Sequence, residues 1–284
     1  LTPAPASDAA CALMIGGVLL KAALFPLHFW LPPAHAAAPA PVSAALSALV
    51  VKAAIYLILR LWLDLFAGIA NVSVAMLLGL LGGIAVLWGS WQALCAERLK
   101  LLAAYSTVAQ IGYLAMFLPL FHATLDEDAR ASLLAAWVLL ALTHGLAKAG
   151  FFLAAGLVQK TTGHDRILEL GGAAQSLPAA TFALGLAGAA LIGLPPSGTF
   201  FAKWLLIQTA IVSGQWWWVP VVMLGTLLAV GYVFRILARA FTREPTPAHF
   251  VTDARTELPA LILAALSLLG VGLAARPITH LLGV

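Results

Sequence analysis

Eight apolar runs, near residues 9 to 27, 41 to 62, 72 to 94, 99 to 121, 129 to 158, 179 to 211, 216 to 241 and 258 to 275, constrain this chain more than any other feature. A hydrocarbon layer of about 30 Å is crossed by roughly 20 residues of helix, which each of these runs supplies or approaches. A membrane β-barrel would instead show alternating strands of about ten residues. Ala, Leu and Gly follow one another here almost without alternation. The sequence therefore predicts an all-α, polytopic transmembrane bundle of about eight helices. With 63% hydrophobic and 9% charged residues, there is too little polar surface for a water-soluble globule. In such a chain the net charge of +4 is accounted for by basic cytoplasmic loops and not by a nucleic-acid partner.

The sixth run is too long for one straight span, since 33 residues would make about 50 Å of helix. It contains the stretch GLPPSGTFFAKW, in which Pro195 and Pro196 interrupt the helical hydrogen-bond ladder and Lys203 follows about two turns later. Basic residues decide between one broken span and two short ones. With one broken span, Arg98, Lys100, Lys160, Arg166, Arg235, Arg239, Arg243 and Arg255 fall on one side, and Arg60, Arg130 and Arg276 on the other. With two spans the asymmetry disappears, so the positive-inside rule selects a single broken helix. The same count places the loop Thr242 to Glu257 in the cytoplasm and the acidic loop Asp126-Glu127-Asp128 and the C-terminus outside.

Four of the fifteen Lys and Arg residues remain: Lys21, Lys52, Lys148 and Lys203, each inside an apolar run. An ammonium at bilayer depth costs about 2.5 to 3.5 kcal/mol, so four facing lipid would cost on the order of 10 kcal/mol. Snorkelling to an interface could relieve one of them, but Lys52 and Lys148 lie mid-run. The lysines are expected to line an interior, wet path. Lys52, Tyr56 and Arg60 follow at i, i+4 and i+8, and His144 and Lys148 at i, i+4, which predicts polar faces. Burial penalises the charged form of an amine, bringing neutral amine within reach near physiological pH, and imidazole titrates there already. Such a row can pass protons. Ser106 and Gln110 form a further polar face, read as packing contacts or water ligands.

The remaining features receive plainer readings. His28 and His35 are expected at the cytoplasmic end of the first span, in interfacial hydrogen bonding or proton uptake; a metal site is disfavoured without Cys or acidic partners. Cys11 and Cys95 read as two buried thiols packing as small apolar groups. Trp216-Trp217-Trp218 reads as an aromatic belt, Asp126-Glu127-Asp128 as a solvated loop, and Gly79, Gly82 and Gly83 as sites of close helix packing. The polar loop from Arg243 to Glu257 is a candidate docking surface for a partner. Starting at Leu1 without Met or a charged n-region, the chain is expected to lack a signal peptide and to continue a longer upstream part. No phosphate loop, GxGxxG fingerprint or haem attachment motif occurs, so no catalytic residue, metal or cofactor is expected in this chain.

LKAALFPLHFWLPPAHAAAPAPVSAALSALVVKAAIYLILRLW, ERLKLLAAYSTVAQIGY, THGLAKAGFFLAAG and GLPPSGTFFAKW occur in that order. Together they resemble the landmarks of the antiporter-like subunits shared by respiratory complex I, Mrp-type cation/proton antiporters and membrane-bound group 4 hydrogenases. The resemblance implies a fold of fourteen helices built around two inverted repeats, with the seventh and twelfth helices interrupted, of which this chain carries the last eight. Residues 1–64 would end the first repeat, 65–241 would form the second around the broken helix 179–211, and 242–284 would hold a cytoplasmic loop and the final helix. It also implies proton translocation through Lys21, Lys52, His144, Lys148 and Lys203, supported by the residues above, in a multisubunit respiratory or antiporter complex in a bacterial or archaeal inner membrane. Protons would be the cargo, with Na⁺ exchange as an alternative, and the FPLHFWLPPAHAAAPAPVSA stretch is slightly closer to the Mrp and hydrogenase branches than to the quinone oxidoreductase core. Departures are the absence of the family's fifth-helix glutamate, which would precede Leu1, and Thr199 and Ala202 where relatives commonly carry glycine. Two other functions compete: an oxidoreductase subunit that itself holds quinone, and an independent permease for an organic solute.

Overall fold

The computed structural model describes residues 5–66, 71–124, 126–242 and 254–281. Most of the polar loop proposed as a docking surface, Arg243 included, lies outside them, as does Leu1. The described chain is helical throughout, in the order α1 (Pro5–Ala22), α2 (Leu31–Ala37), α3 (Ala40–Leu65), α4 (Val72–Cys95), α5 (Leu99–Ala123), α6 (Glu127–Thr162), α7 (Pro178–Ile192), α8 (Gly198–Val212), α9 (Trp218–Ala240), α10 (Arg255–Leu273) and α11 (Ala275–Leu281). Six of these, α3 to α6, α9 and α10, are each long and apolar enough to cross a membrane. The pairs α1/α2 and α7/α8 each read as one interrupted span, so the expected bundle of about eight spans is observed.

Each break has a local cause. Helix α7 ends at Gly193, whose φ of 91° is the left-handed conformation that only glycine adopts without strain. Pro195 and Pro196 prevent continuation, and Ser197 restarts α8 by accepting the Phe200 amide hydrogen on its side-chain oxygen at 3.2 Å. The first break lies at Ala23 to Trp30, inside a run that the sequence extends unbroken to residue 27; Pro26 falls there, and α2 starts with Pro32 and Pro33 in its first turn.

Helix α6 runs through the middle, packed against α3, α5, α7, α8 and α10. At 36 residues, about 54 Å, it exceeds the hydrocarbon layer and carries its caps beyond it. Asp126 accepts the Ala129 amide hydrogen at 2.8 Å, so part of the acidic loop is a helix cap. Nearly every residue of α5 is buried, which puts Ser106, Thr107, Gln110 and Tyr113 inside the bundle and away from lipid. The close packing expected of Gly82 is present: a Cβ there would lie 2.6 Å from the Gly112 carbonyl oxygen on α5.

Two plainer readings are corrected. Cys95 is exposed, and Cys11 is half-buried against the apolar core. Trp216 and Trp217 are exposed as a belt requires, but Trp218 is buried and donates to Gln215 Oε1 at 2.8 Å.

A polar clamp joins the ends of α4, α5 and α9. The buried Asp165 carboxylate accepts from Arg98 Nε at 2.7 Å and from the Lys100 amide at 3.3 Å, and two backbone hydrogen bonds tie Leu99 to Asp165 and Ile167 to Glu97. Arg235 on α9 donates to the carbonyls of Leu94 and Ala96 at the end of α4. Asp165→Ala unpairs a buried arginine bond and an amide, and is expected to cost about 1 to 3 kcal/mol. A lowered melting temperature of the purified assembly checks this; an unchanged one rules the clamp out.

Candidate functional site

The site begins where α3 departs from regular geometry. Residues Leu46–Val50 form a π turn, which frees the Ser47 carbonyl from the ordinary ladder, and the Lys52 ammonium donates to it. Ser47 Oγ is hydrogen-bonded to Thr107 Oγ1 of α5 at 2.9 Å, fixing the turn against the centre of the bundle. Lys52 Nζ also lies 3.5 Å from His144 Nε2 on α6. At roughly this separation two positive charges repel by about 4 kcal/mol at a protein-like dielectric, so the pair holds one proton far more readily than two.

One turn along α6, Lys148 is fully buried and donates to the Ala103 carbonyl at 2.8 Å and to Ser106 Oγ, both on α5. Ser106 thus contacts a titratable group directly. One turn further along α5, Gln110 Nε2 donates to the Leu191 carbonyl at 3.1 Å. Leu191 and Ile192 are the last residues of α7, whose final carbonyls have no intrahelical partner. The second of them accepts from Lys203 Nζ at 2.9 Å. Lys203 also donates to Thr226 Oγ1 of α9 at 3.0 Å and stands 4.5 Å from the centroid of the Tyr113 ring. The proline break therefore exposes carbonyls at mid-bundle and the lysine beyond it occupies one of them. Thr199 and Ala202, in the first turns of α8, are fully buried beside it.

Other expected site residues stand apart. Lys21 is exposed on the last turn of α1. Tyr56 is half exposed, its ring 6.2 Å from that of Trp137, and Arg60 is exposed and paired with Asp64 at 2.7 Å. A step of eight residues turns a helix by about 80° beyond two full turns, enough to carry Arg60 off the face of Lys52. Ion pairs join Arg60 to Asp64, Arg98 to Asp165, and Glu169 to both His164 and Arg166. None of them reaches Lys52, His144, Lys148 or Lys203.

Two residues join the site against expectation. His35 is not interfacial: it is fully buried, stacked on Phe152 of α6 with centroids 4.5 Å apart, and neither ring nitrogen has a hydrogen-bond partner. Its ring lies in the fields of Lys148, Lys52 and Lys100. Lys100, counted by sequence as a loop cation, is buried and donates to the Ala38 carbonyl just beyond α2 at 3.0 Å. The sequence signal is Pro39, which keeps α2 from continuing past Ala38 and leaves a carbonyl there for Lys100 to bind. Among the described residues no group of three or more His, Cys, Asp or Glu is placed to hold a metal ion.

This geometry has relatives. A family described as NADH:quinone oxidoreductase/Mrp antiporter, TM, matches residues 5–229. The chain belongs to this family. It is 33% identical over 283 residues to the NADH-quinone oxidoreductase subunit N of Desulforudis audaxviator, covering 96% of this chain and 55% of that protein. It superposes on a chain of the Mrp complex from Dietzia sp. with a TM-score of 0.87 at 26% identity, covering 99% of this chain and 59% of the other. A chain of respiratory complex I from Thermus thermophilus matches with a TM-score of 0.75 at 25% identity, over 96% of this chain and 59% of the other. This antiporter-family chain thus spans somewhat over half the length of these relatives. Membership, together with six helices long and apolar enough to cross a membrane among the described residues, makes it an integral membrane protein.

Proposed function

We propose that the chain moves protons across a membrane as part of a multisubunit respiratory or antiporter complex, using Lys52, His144, Lys148 and Lys203, with His35 beside the row. The observation that carries this reading is the row itself: buried lysines and a histidine, without a carboxylate in contact among the described residues, end at a lysine bound to the open carbonyl of a broken helix. Fixed structural cations would be neutralised by acidic partners, whereas carriers that hold a proton in turn are served by carbonyl and hydroxyl acceptors. Discontinuous helices beside an ion path are a recurring transporter device. This reading requires no cofactor in the chain, and monovalent cation/proton exchange would use the same groups. The positive-inside asymmetry supports an external C-terminus in a bacterial or archaeal inner membrane.

Lys148→Met is the direct test. It keeps the volume of the side chain and removes the titrating nitrogen, and is expected to lower proton transport at least about tenfold in vesicles carrying the full-length protein in its native assembly, with the assembly intact. Transport at the wild-type rate overturns the reading. A second reading, in which the chain itself holds quinone, has one observation in its favour: an open, mostly apolar groove of about 810 Å³ between α3 and α6, with Lys52 at its side. Quinone photolabelling confined to neighbouring subunits excludes it.

A further inference from the structure

The open groove between α3 and α6 does not end at the bundle's flank. Its larger part, about 810 Å³, runs from Pro41 and Leu153 to Tyr56 and Trp137. At Pro41 and Leu153 it continues into a second space of about 240 Å³, which α10 borders with Thr256, Pro259 and Ala260 and which reaches Lys160. Lys160 is exposed in the last turn of α6, at the end that the positive-inside count makes cytoplasmic. Among the described residues its ammonium has neither an ion pair nor a hydrogen bond, and no carboxylate lines either space. Width restricts what can lie here. Helix α6 rises about 24 Å from Trp137 to Leu153, so the larger space has a mean section of roughly 34 Å². A helix 10–12 Å across fills roughly 80 to 110 Å² and cannot enter, whereas one or two extended hydrocarbon chains fit. Apart from Lys52 and Tyr56, no charged or hydroxyl side chain lines this part, so a quinone ring would find few donors there.

We infer that the groove is a binding site for one phospholipid of the cytoplasmic leaflet with an anionic headgroup. Its phosphate lies on Lys160 beside Thr256, and one acyl chain runs between α3 and α6 as far as Lys52. The length agrees: α3 rises about 18 Å from Ala40 to Lys52, close to the roughly 15 Å of hydrocarbon in one leaflet. Lys52 turns its ammonium to the Ser47 carbonyl and to His144, so the chain meets its alkyl stem. A tail passing from the bilayer into an apolar groove gains no hydrophobic free energy, because lipid tails are as apolar as leucine. Selection of one lipid therefore comes from the headgroup, where Lys160 supplies the complementary charge.

The test is photolabelling of the full-length protein in its native assembly. The vesicles contain equal parts of phosphatidylglycerol and phosphatidylcholine, one or the other carrying a diazirine in an acyl chain, and yields are normalised to assembled subunit. Phosphatidylglycerol is expected to label the groove around Ala48, Leu49, Gly145 and Leu146 about fivefold more than phosphatidylcholine does, as the attraction of one lysine implies. Lys160→Gln is expected to bring the two lipids to parity, while Arg130→Gln at the other end of α6 keeps the preference. Ala45→Phe places a ring in the groove at an exposed position and is expected to lower labelling by both lipids. Parity in the wild type, or a preference that survives Lys160→Gln, overturns the site and marks ordinary bilayer contact. No label on these faces, or labelling that Ala45→Phe leaves unchanged, overturns the placement of the chain in the groove. Labelling displaced by a short-chain quinone and not by unlabelled phosphatidylglycerol overturns the lipid in favour of quinone.

Discussion

Lys203→Ala is expected to bring proton transport down by about 100-fold or more, to the leak of the vesicle, while the subunit still assembles. The loss should be this large because Lys203 is the terminal group of the row and is held by three elements at once: the Ile192 carbonyl of α7, Thr226 of α9 and the Tyr113 ring of α5. Assembly should survive because truncation removes one lysine and leaves a single carbonyl at a break already open to polar partners. Lys203→Arg separates two explanations of the loss. A guanidinium keeps the positive charge and the hydrogen-bond donors but never gives up its proton. If Lys203 is a proton carrier, the arginine variant is as inactive as the alanine one. Transport by Lys203→Arg at the wild-type rate would show that only a fixed charge is needed there.

Gly272→Val is expected to remove the folded subunit from the membrane, and Gly272→Ala to weaken it. Gly272 lies near the end of α10, directly against the Pro196 carbonyl in the break between α7 and α8, and a Cβ at this position would overlap that carbonyl group. Both partners are backbone, so no side-chain rotation relieves the contact. Overpacking costs typically about 1 to 3 kcal/mol even where side chains can yield, and more is expected here. Protease resistance and the amount of assembled subunit in the membrane measure the effect. Wild-type accumulation of Gly272→Val with an unchanged digestion pattern would mean that α10 does not brace the break. The two variants act on the same feature differently: one takes away the proton carrier, the other the support that holds its carbonyl partner in place.

Residues whose chemistry conflicts with their surroundings were legible in the chain. A lysine in the middle of an apolar run is costly wherever it faces lipid, so Lys52, Lys148 and Lys203 could be placed in an interior before any contact was known. Two adjacent prolines cannot sit inside a continuous helix, and the charge asymmetry chose one broken span over two. Where the reading failed, it treated a helix as a fixed stripe. Arg60 follows Lys52 by eight residues, and the accumulated rotation takes it to an exposed pair with Asp64. His35 and Lys100 sit beside helix ends, where sequence suggests an interface, yet α2 folds back into the bundle and buries both.

The order of the helices, the position of the second break and the existence of buried amines were thus determined by the sequence alone, because each follows from the cost of a polar group or an unpaired amide in hydrocarbon. Only the tertiary structure decided which amines meet. Lys52 reaches His144 across ninety-two positions of chain, and Lys203 finds its carbonyl in the helix before it and its hydroxyl in the helix after it. Tyr113 shows no anomaly in the sequence, since a tyrosine in an apolar run is cheap enough to go unremarked. Its place in the site comes from the packing, which sets its ring 4.5 Å from the Lys203 ammonium of α8.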